Sequence, residues 1–220
     1  MYVFDWNTVG VAIGYIGQGV WLTLLVSISS LVIGISLAVP IGVMRSSKNK
    51  LLVTFLGFYV EIFRNIPVLV LIVWIYYVLP ILTGFNLGPF AAGILALSLN
   101  TSAFLAEVFR GGISGIAEGQ REASASLGMN GLQTMVDVII PQVIRRMMAP
   151  MLNQFIVLIK ESALLSYIGV LEILQRGDQI STQFSRPLEA YTVVAMFYLV
   201  ICFSVSQISR IIERRLAIPE

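Results

Sequence analysis

The sequence predicts an all-α integral membrane protein of about five transmembrane helices, and two observations carry that prediction. The chain of 220 residues is 57% hydrophobic and only 12% charged, a balance foreign to ordinary soluble domains. Trp6 to Met44 holds no charged residue, and neither does Ile66 to Ala106. Each run exceeds the roughly 20 apolar residues that cross a bilayer core of about 30 Å. A single cysteine, Cys202, and the absence of His exclude a disulfide framework and remove the commonest metal ligand and general base. No catalytic or metal-binding residue is expected.

The elements follow in order. The first span is expected from about Gly19 to Met44, ending at Arg45, Lys48 and Lys50. Met1 to Asn7 carries Asp5 and no Lys or Arg. With the length of the apolar run, this argues against a cleavable leader. The second span lies within Leu51 to Leu82, with Glu61 and Arg64 at the interface and Pro67 opening the deeper part. Thr83 to Pro89, rich in Gly and Asn, reads as a turn. A third span is expected from about Phe90 to Arg110, closing at Gly111 and Gly112; a fourth from about Val138 to Lys160; a fifth from about Leu188 to Ile212. Five spans put three basic groups on one side: Arg45 to Lys50, Arg110 with Arg121, Arg145 and Arg146, and Arg210 with Arg214 and Arg215. The positive-inside rule makes that side cytoplasmic, with the N-terminus outside and the C-terminus inside. Lys160, Arg176 and Arg186 fall on the opposite side among Glu161, Glu172, Asp178 and Glu189. No internal repeat or linker is evident, so residues 1–220 read as a single transmembrane permease-sized domain with one long cytoplasmic loop at about 111–141. Five helices enclose little aqueous space, which calls for a second subunit, identical or related.

Polar residues inside spans are the candidates for function. Between Arg146 and Lys160 lie thirteen uncharged residues, about 20 Å of helix and short of a full crossing. They include Pro150, Asn153 and Gln154. Short, Pro-interrupted spans with polar residues mark substrate sites in transporters. The amides would equally serve as hydrogen bonds to a neighbouring helix, and both readings stay open. Asn100, Thr101 and Ser102 stand near the middle of the third span. A hydroxyl can be satisfied by a carbonyl one turn back, so Asn100 is the stronger candidate for reading a small zwitterion or an amide side chain. Glu61 with Arg64, and Glu107 with Arg110, share a helix face as expected ion pairs. Lys160 and Glu161 are expected to snorkel at the outer end of the fourth span. Ala163 to Leu171 is too short to span and reads as a re-entrant segment or vestibule gate. There is no GxxxxGK[ST] phosphate loop, so the chain lacks the usual means of hydrolysing nucleotide.

The cytoplasmic loop carries the most specific pattern. Glu122-Ala123-Ser124 is followed by Gly128, six residues after the Glu, and by Val138-Ile139-Ile140-Pro141, closing nineteen residues after it. This resembles the EAA loop of ABC importer permease subunits, with Ser124 in place of the second Ala. Glu61 to Pro67, Glu107 to Ile113, Gly119 to Ala123 and Ile212 to Leu216 are similar to the polar amino acid uptake group of that family over nearly the whole chain. The resemblance implies a type I ABC importer permease fold in a bacterial inner membrane. It implies two permease subunits forming a pathway, an ATP-binding cassette ATPase that supplies ATP and Mg chemistry, and an extracytoplasmic amino acid binding protein, with no cofactor in this chain and no nucleic-acid partner. Gln120, Glu122, Ala123, Ser124, Ser126, Leu127 and Gly128 would couple to the ATPase, and Asn100, Ser102, Asn153 and Gln154 would meet substrate. Gln154 stands where relatives carrying charged amino acids have Glu, which makes glutamine the first expectation, ahead of glutamate or another polar amino acid. A standalone secondary carrier or channel is the rival, but it needs an ion-coupling carboxylate at mid-membrane that the sequence lacks. A membrane scaffold without a pathway would leave the paired amides unexplained.

Overall fold

The structure, a computed structural model, describes residues 3–47 and 49–216, with side chains as far as Ile212. Lys48 and the side chains of Arg214 and Arg215, counted above among the basic ends, lie outside the described residues, as do those of Glu213 and Leu216.

Asp5 caps the first helix, α1 (Trp6–Gly17), by accepting from the Asn7 amide at 3.0 Å. After Gln18, α2 (Gly19–Arg45) runs for 27 residues, about 40 Å. Asn49 then caps α3 (Lys50–Asn65) through the amides of Leu51 and Leu52. Pro67 ends α3, and the chain turns through 103° into α4 (Val68–Val73), a π turn at Trp74–Val78 and α5 (Leu79–Thr83). Gly84, at φ 71°, stops α5 in the left-handed region. The long α6 (Pro89–Ser114) leads to α7 (Glu118–Ser126) and the short α8 (Gly131–Gln133). A second π turn, Thr134–Ile139, joins α8 to α9 (Ile140–Glu161). Each π turn sits just ahead of a proline, Pro80 or Pro141. The wider turn absorbs the missing N–H and the ring's clash with the preceding carbonyl. A 3₁₀ segment (Ser162–Ile168), α10 (Ile173–Phe184) and α11 (Pro187–Leu216) complete the chain. Among the described residues four helical stretches are long and apolar enough to cross a membrane, and the bent α3–α5 pair, taken as one span, makes five.

The packing is organised around α2 and α6. The buried face of α2 presents Gly19, Thr23, Ser27, Ser30, Gly34, Ala38 and Gly42, one small residue per turn. Small residues let helix backbones approach closely where lipid provides no hydrophobic drive. A Cβ on Gly34 would stand 2.7 Å from Thr101 Cγ2, and one on Gly42 2.7 Å from Phe109 Cβ. At the end of this seam Glu107 accepts from both Arg45 and Arg110. Two apolar clusters flank a polar layer. One gathers Val26, Leu71, Ala96, Leu97, Leu158 and Leu165; the other gathers Ala38, Leu105, Phe109, Ile113, Val143 and Met147. Between them α6 carries Ser98, Asn100, Thr101 and Ser102, and α9 carries Gln154. Beyond the first cluster, α1, α10 and the early part of α11 pack together through Ile16, Ile173, Ile180, Ala190 and Val194. Glu172, fully buried at the head of α10, accepts from the Leu174 and Gln175 amides and from the Tyr198 hydroxyl. Burial raises its carboxyl above the usual range, against those bonds.

Several sequence expectations are corrected. Gly111 and Gly112 do not close the third span, since α6 continues to Ser114. Gly112 instead admits Met147, whose Sδ lies 2.8 Å from the Cβ it lacks. Helix precedes the expected start of the first span, because α1 continues the apolar run outward. The fourth crossing is longer than Val138 to Lys160 and extends over Gly131–Ile168. Glu61 pairs with the Asn65 amide at 2.9 Å rather than with Arg64. Glu161 is half-buried, and its Oε2 is enclosed without a partner among the described residues. In the segment beyond it, Leu165 and Ile168 join the first apolar cluster while Tyr167 stays exposed.

Replacing Gly34 with Leu is expected to cost about 1–3 kcal/mol through overpacking against Thr101. It should lower the thermal midpoint of the purified protein in detergent, whereas Gly10→Ala, which meets no atom within 4 Å, should leave it unchanged. Glu107→Ala should cost roughly 1–3 kcal/mol by stranding Arg45, whose side chain is 11% exposed.

Candidate functional site

The cytoplasmic loop is built to be stiff. Arg146 Nη1 donates to the Gly115 carbonyl at 3.0 Å, tying α9 to the end of α6. The helix α7 then runs to Ser126, where Gly128 at φ 76° turns the chain out. The Met129 amide donates to Ser124 O at 3.1 Å and the Gly128 amide to Ala125 O at 3.0 Å, a Schellman stop that satisfies the last carbonyls. Two residues on, Asn130 and Gln133 form a reciprocal capping box at 2.9 Å. The loop therefore passes from one capped end to the next with little free backbone.

Its surface divides cleanly. Ser124 is buried, and its hydroxyl bonds back to Gln120 O at 2.8 Å. A small residue is required there because this is the side on which α7 meets the chain below it. Gln120, Glu122, Ala123, Ser126 and Leu127 all face outward, and Leu127 is 81% exposed. Gln120 also lies 3.5 Å from Gln142 of α9. Leu127 thus leaves a single apolar side chain exposed at the end of a polar helix.

The mid-span amides fall into two kinds. Gln154 is buried and donates to Thr101 Oγ1 at 3.4 Å, so it faces α6 within the chain. Ser102, fully buried, donates to Leu99 O at 2.8 Å and lies 2.6 Å from the Tyr59 hydroxyl. Asn100 is half-buried and spends its Nδ2 on the Phe63 carbonyl at 2.8 Å. Its Oδ1 takes no partner among the described residues. Asn153 is exposed and has no hydrogen bond among the described residues. It stands seven residues from both Arg146 and Lys160, at the midpoint of the crossing. The four candidates thus lie on α6 and α9 around the contact of Gln154 with Thr101. Two are committed to the chain's own packing, and two present open polar atoms.

Tyr59 and the Phe63 carbonyl were not among the candidates read from the sequence. The carbonyl was legible in principle: an α-helical carbonyl four residues before a proline has no amide to accept from. The tyrosine had no local signal, since its partner lies 43 positions away. No metal-binding cluster of His, Cys, Asp or Glu occurs among the described residues.

Known proteins share both the sequence and the architecture. Residues 30–218 match the family described as binding-protein-dependent transport system inner membrane component. The glutamine transport system permease protein GlnP of Escherichia coli (strain K12) is 34% identical over 216 residues, covering 98% of this chain and 99% of its own. The arginine transport system permease protein ArtQ of Bacillus subtilis (strain 168) is 31% identical over 204 residues, 93% of each. Among solved structures, an amino acid ABC transporter crystallised with histidines superposes with a TM-score of 0.90 at 33% identity, over 97% of this chain and 100% of that one. The inward-facing methionine transporter MetNI superposes at 0.79 over 93% and 97%, and at 23% identity it speaks for the fold alone. The span pattern, the capped loop and these matches agree: the chain belongs to the family of inner-membrane permease components of binding-protein-dependent ABC importers.

Proposed function

We propose that this permease carries a polar amino acid, glutamine first, inward through a pathway completed by a second permease subunit. The observation that carries the reading is Asn153. An exposed amide at the centre of a crossing is unfavourable against hydrocarbon, so its surface belongs against a partner subunit or a water-filled path. Asn100 Oδ1 adds an acceptor for an ammonium or amide N–H. Gln154 and Ser102 support that surface from behind through Thr101 and Tyr59. The polar layer holds amides and hydroxyls but no carboxylate, which suits a neutral side chain better than a cation. The glutamine permease relative supports this choice, while the arginine permease relative marks basic amino acids as the competing class.

Energy comes from a separate ATP-binding subunit in this reading. The outward face of α7, with Glu122, Ala123, Ser126 and Leu127, seats in that subunit, and its closure displaces the loop as one piece. Because Arg146 and the Gly115 carbonyl join the two helices that flank the loop, the push reaches α6 and α9 together. The pathway then switches between inward- and outward-facing arrangements, and an extracytoplasmic binding protein delivers the substrate.

Two measurements check this. Proteoliposomes holding the permease, its ATPase and its binding protein should take up glutamine only with all three present and with ATP inside the vesicles where the ATPase faces in; uptake by the permease alone would establish a secondary carrier instead. Replacing Gly128 with Leu meets open space but forces a left-handed backbone that costs roughly 1–2 kcal/mol. The variant should insert normally, hydrolyse ATP with its partner and lose most uptake, and normal uptake would count against α7 as the coupling element.

A further inference from the structure

The bend in the second crossing leaves one backbone carbonyl of α3 to be satisfied, and Asn100 of α6 satisfies it. In α3 the Phe63 carbonyl would accept from residue 67, but that residue is proline. Asn100 Nδ2 of α6 takes its place at 2.8 Å. One turn earlier on α3, the Tyr59 hydroxyl lies 2.6 Å from Ser102 Oγ. The Ser102 hydroxyl already donates its single proton to Leu99 O, so Tyr59 is the donor and Ser102 the acceptor. The rings of Tyr59 and Phe63 pack at 4.8 Å between centroids. Two bonds from one face of α3, at positions 59 and 63, therefore meet two residues of α6, at 100 and 102, beside the 103° turn.

The pairing sets the direction of the Asn100 amide. With Nδ2 committed to the Phe63 carbonyl, Oδ1 must point the opposite way, out of the contact. A shift of α3 along α6 would move that carbonyl and let the amide rotate. We infer that Tyr59 is a positioning residue for transport: its hydroxyl, held by Ser102, fixes α3 and so fixes the face that Asn100 offers to the passing substrate. This rests on the importer reading above. It also explains why a tyrosine rather than a phenylalanine stands here, since ring packing alone would not need the hydroxyl.

The test uses the permease–ATPase complex in proteoliposomes with saturating liganded binding protein. Tyr59→Phe keeps the ring and removes the hydroxyl. It should lower amino acid uptake per ATP hydrolysed by about three- to tenfold, the effect of one lost hydrogen bond. Basal ATP hydrolysis should stay at the wild-type level, and the thermal midpoint should fall by no more than the few degrees that one interhelical hydrogen bond supplies. Ser102→Ala should match Tyr59→Phe, the double variant should be no worse than either alone because both remove one interaction, and Ser102→Thr should retain uptake. Wild-type uptake by Tyr59→Phe, losses that add in the double variant, or basal ATP hydrolysis that falls in step with uptake would each overturn the assignment. If the wild-type complex itself takes up no amino acid, the importer reading fails and the positioning role falls with it; loss of the role alone would leave wild-type uptake intact.

Discussion

Everything in this fold hangs on how closely α2 and α6 approach. Inside a bilayer, burying one apolar side chain against another displaces only lipid of similar polarity, so helices associate through contact and hydrogen bonding. The residues Gly34 and Gly42 remove the Cβ atoms that would hold the two helices apart. Along the same face, Ser30 reaches the Ile94 carbonyl at 3.5 Å. The seam ends in the cluster of Glu107 with Arg45 and Arg110, which joins the two helices by charge where they leave the apolar zone. The bent α3–α5 pair, the α9 crossing and the cytoplasmic loop all attach to α6, and so inherit the geometry of this contact.

The core built on that contact is divided. Apolar clusters lie on both sides of a layer whose members are serine, threonine, asparagine, glutamine and tyrosine. Each interhelical hydrogen bond there contributes about 0.6–2 kcal/mol, enough to fix rotation and register but too little to freeze the helices together. Such a layer gives a transporter two useful properties at once. It is polar enough to receive a hydrophilic cargo, and weak enough in each link for one half of the molecule to move relative to the other.

How much of this the sequence revealed depended on the range of the interaction. Charge-free runs placed the crossings, Pro67 placed the bend, and the spacing from Glu122 to Gly128 placed the capped loop, because each is a local rule about turns, prolines or bilayer thickness. The one-per-turn small residues of α2 were also present to be read, though their meaning depends on which helix lies opposite. Where the partner was distant, local rules failed. Glu61 found Asn65 in place of Arg64, Gly112 served a neighbouring methionine in place of a helix end, and one oxygen of Glu161 was enclosed by packing. At mid-depth the sequence singled out the amides but could not say which of them turned inward. That depends on whether a given helix face meets α6, as Gln154 does, or meets nothing in this chain, as Asn153 does.

The wide turn at Thr134–Ile139 has a consequence for the inheritance of this architecture. It stores one residue more than a regular helix of the same rise would hold, directly between the α7–α8 loop and α9, which carries Asn153. Deleting that one extra position would let the turn rewind as regular α-helix and leave the facing of α9 as it is. Deleting a position from the regular helix that follows would instead rotate the part carrying Asn153 by about 100°, one residue's worth of helical turn. Length is therefore free to vary by one residue at the wide turn, but not between it and Asn153.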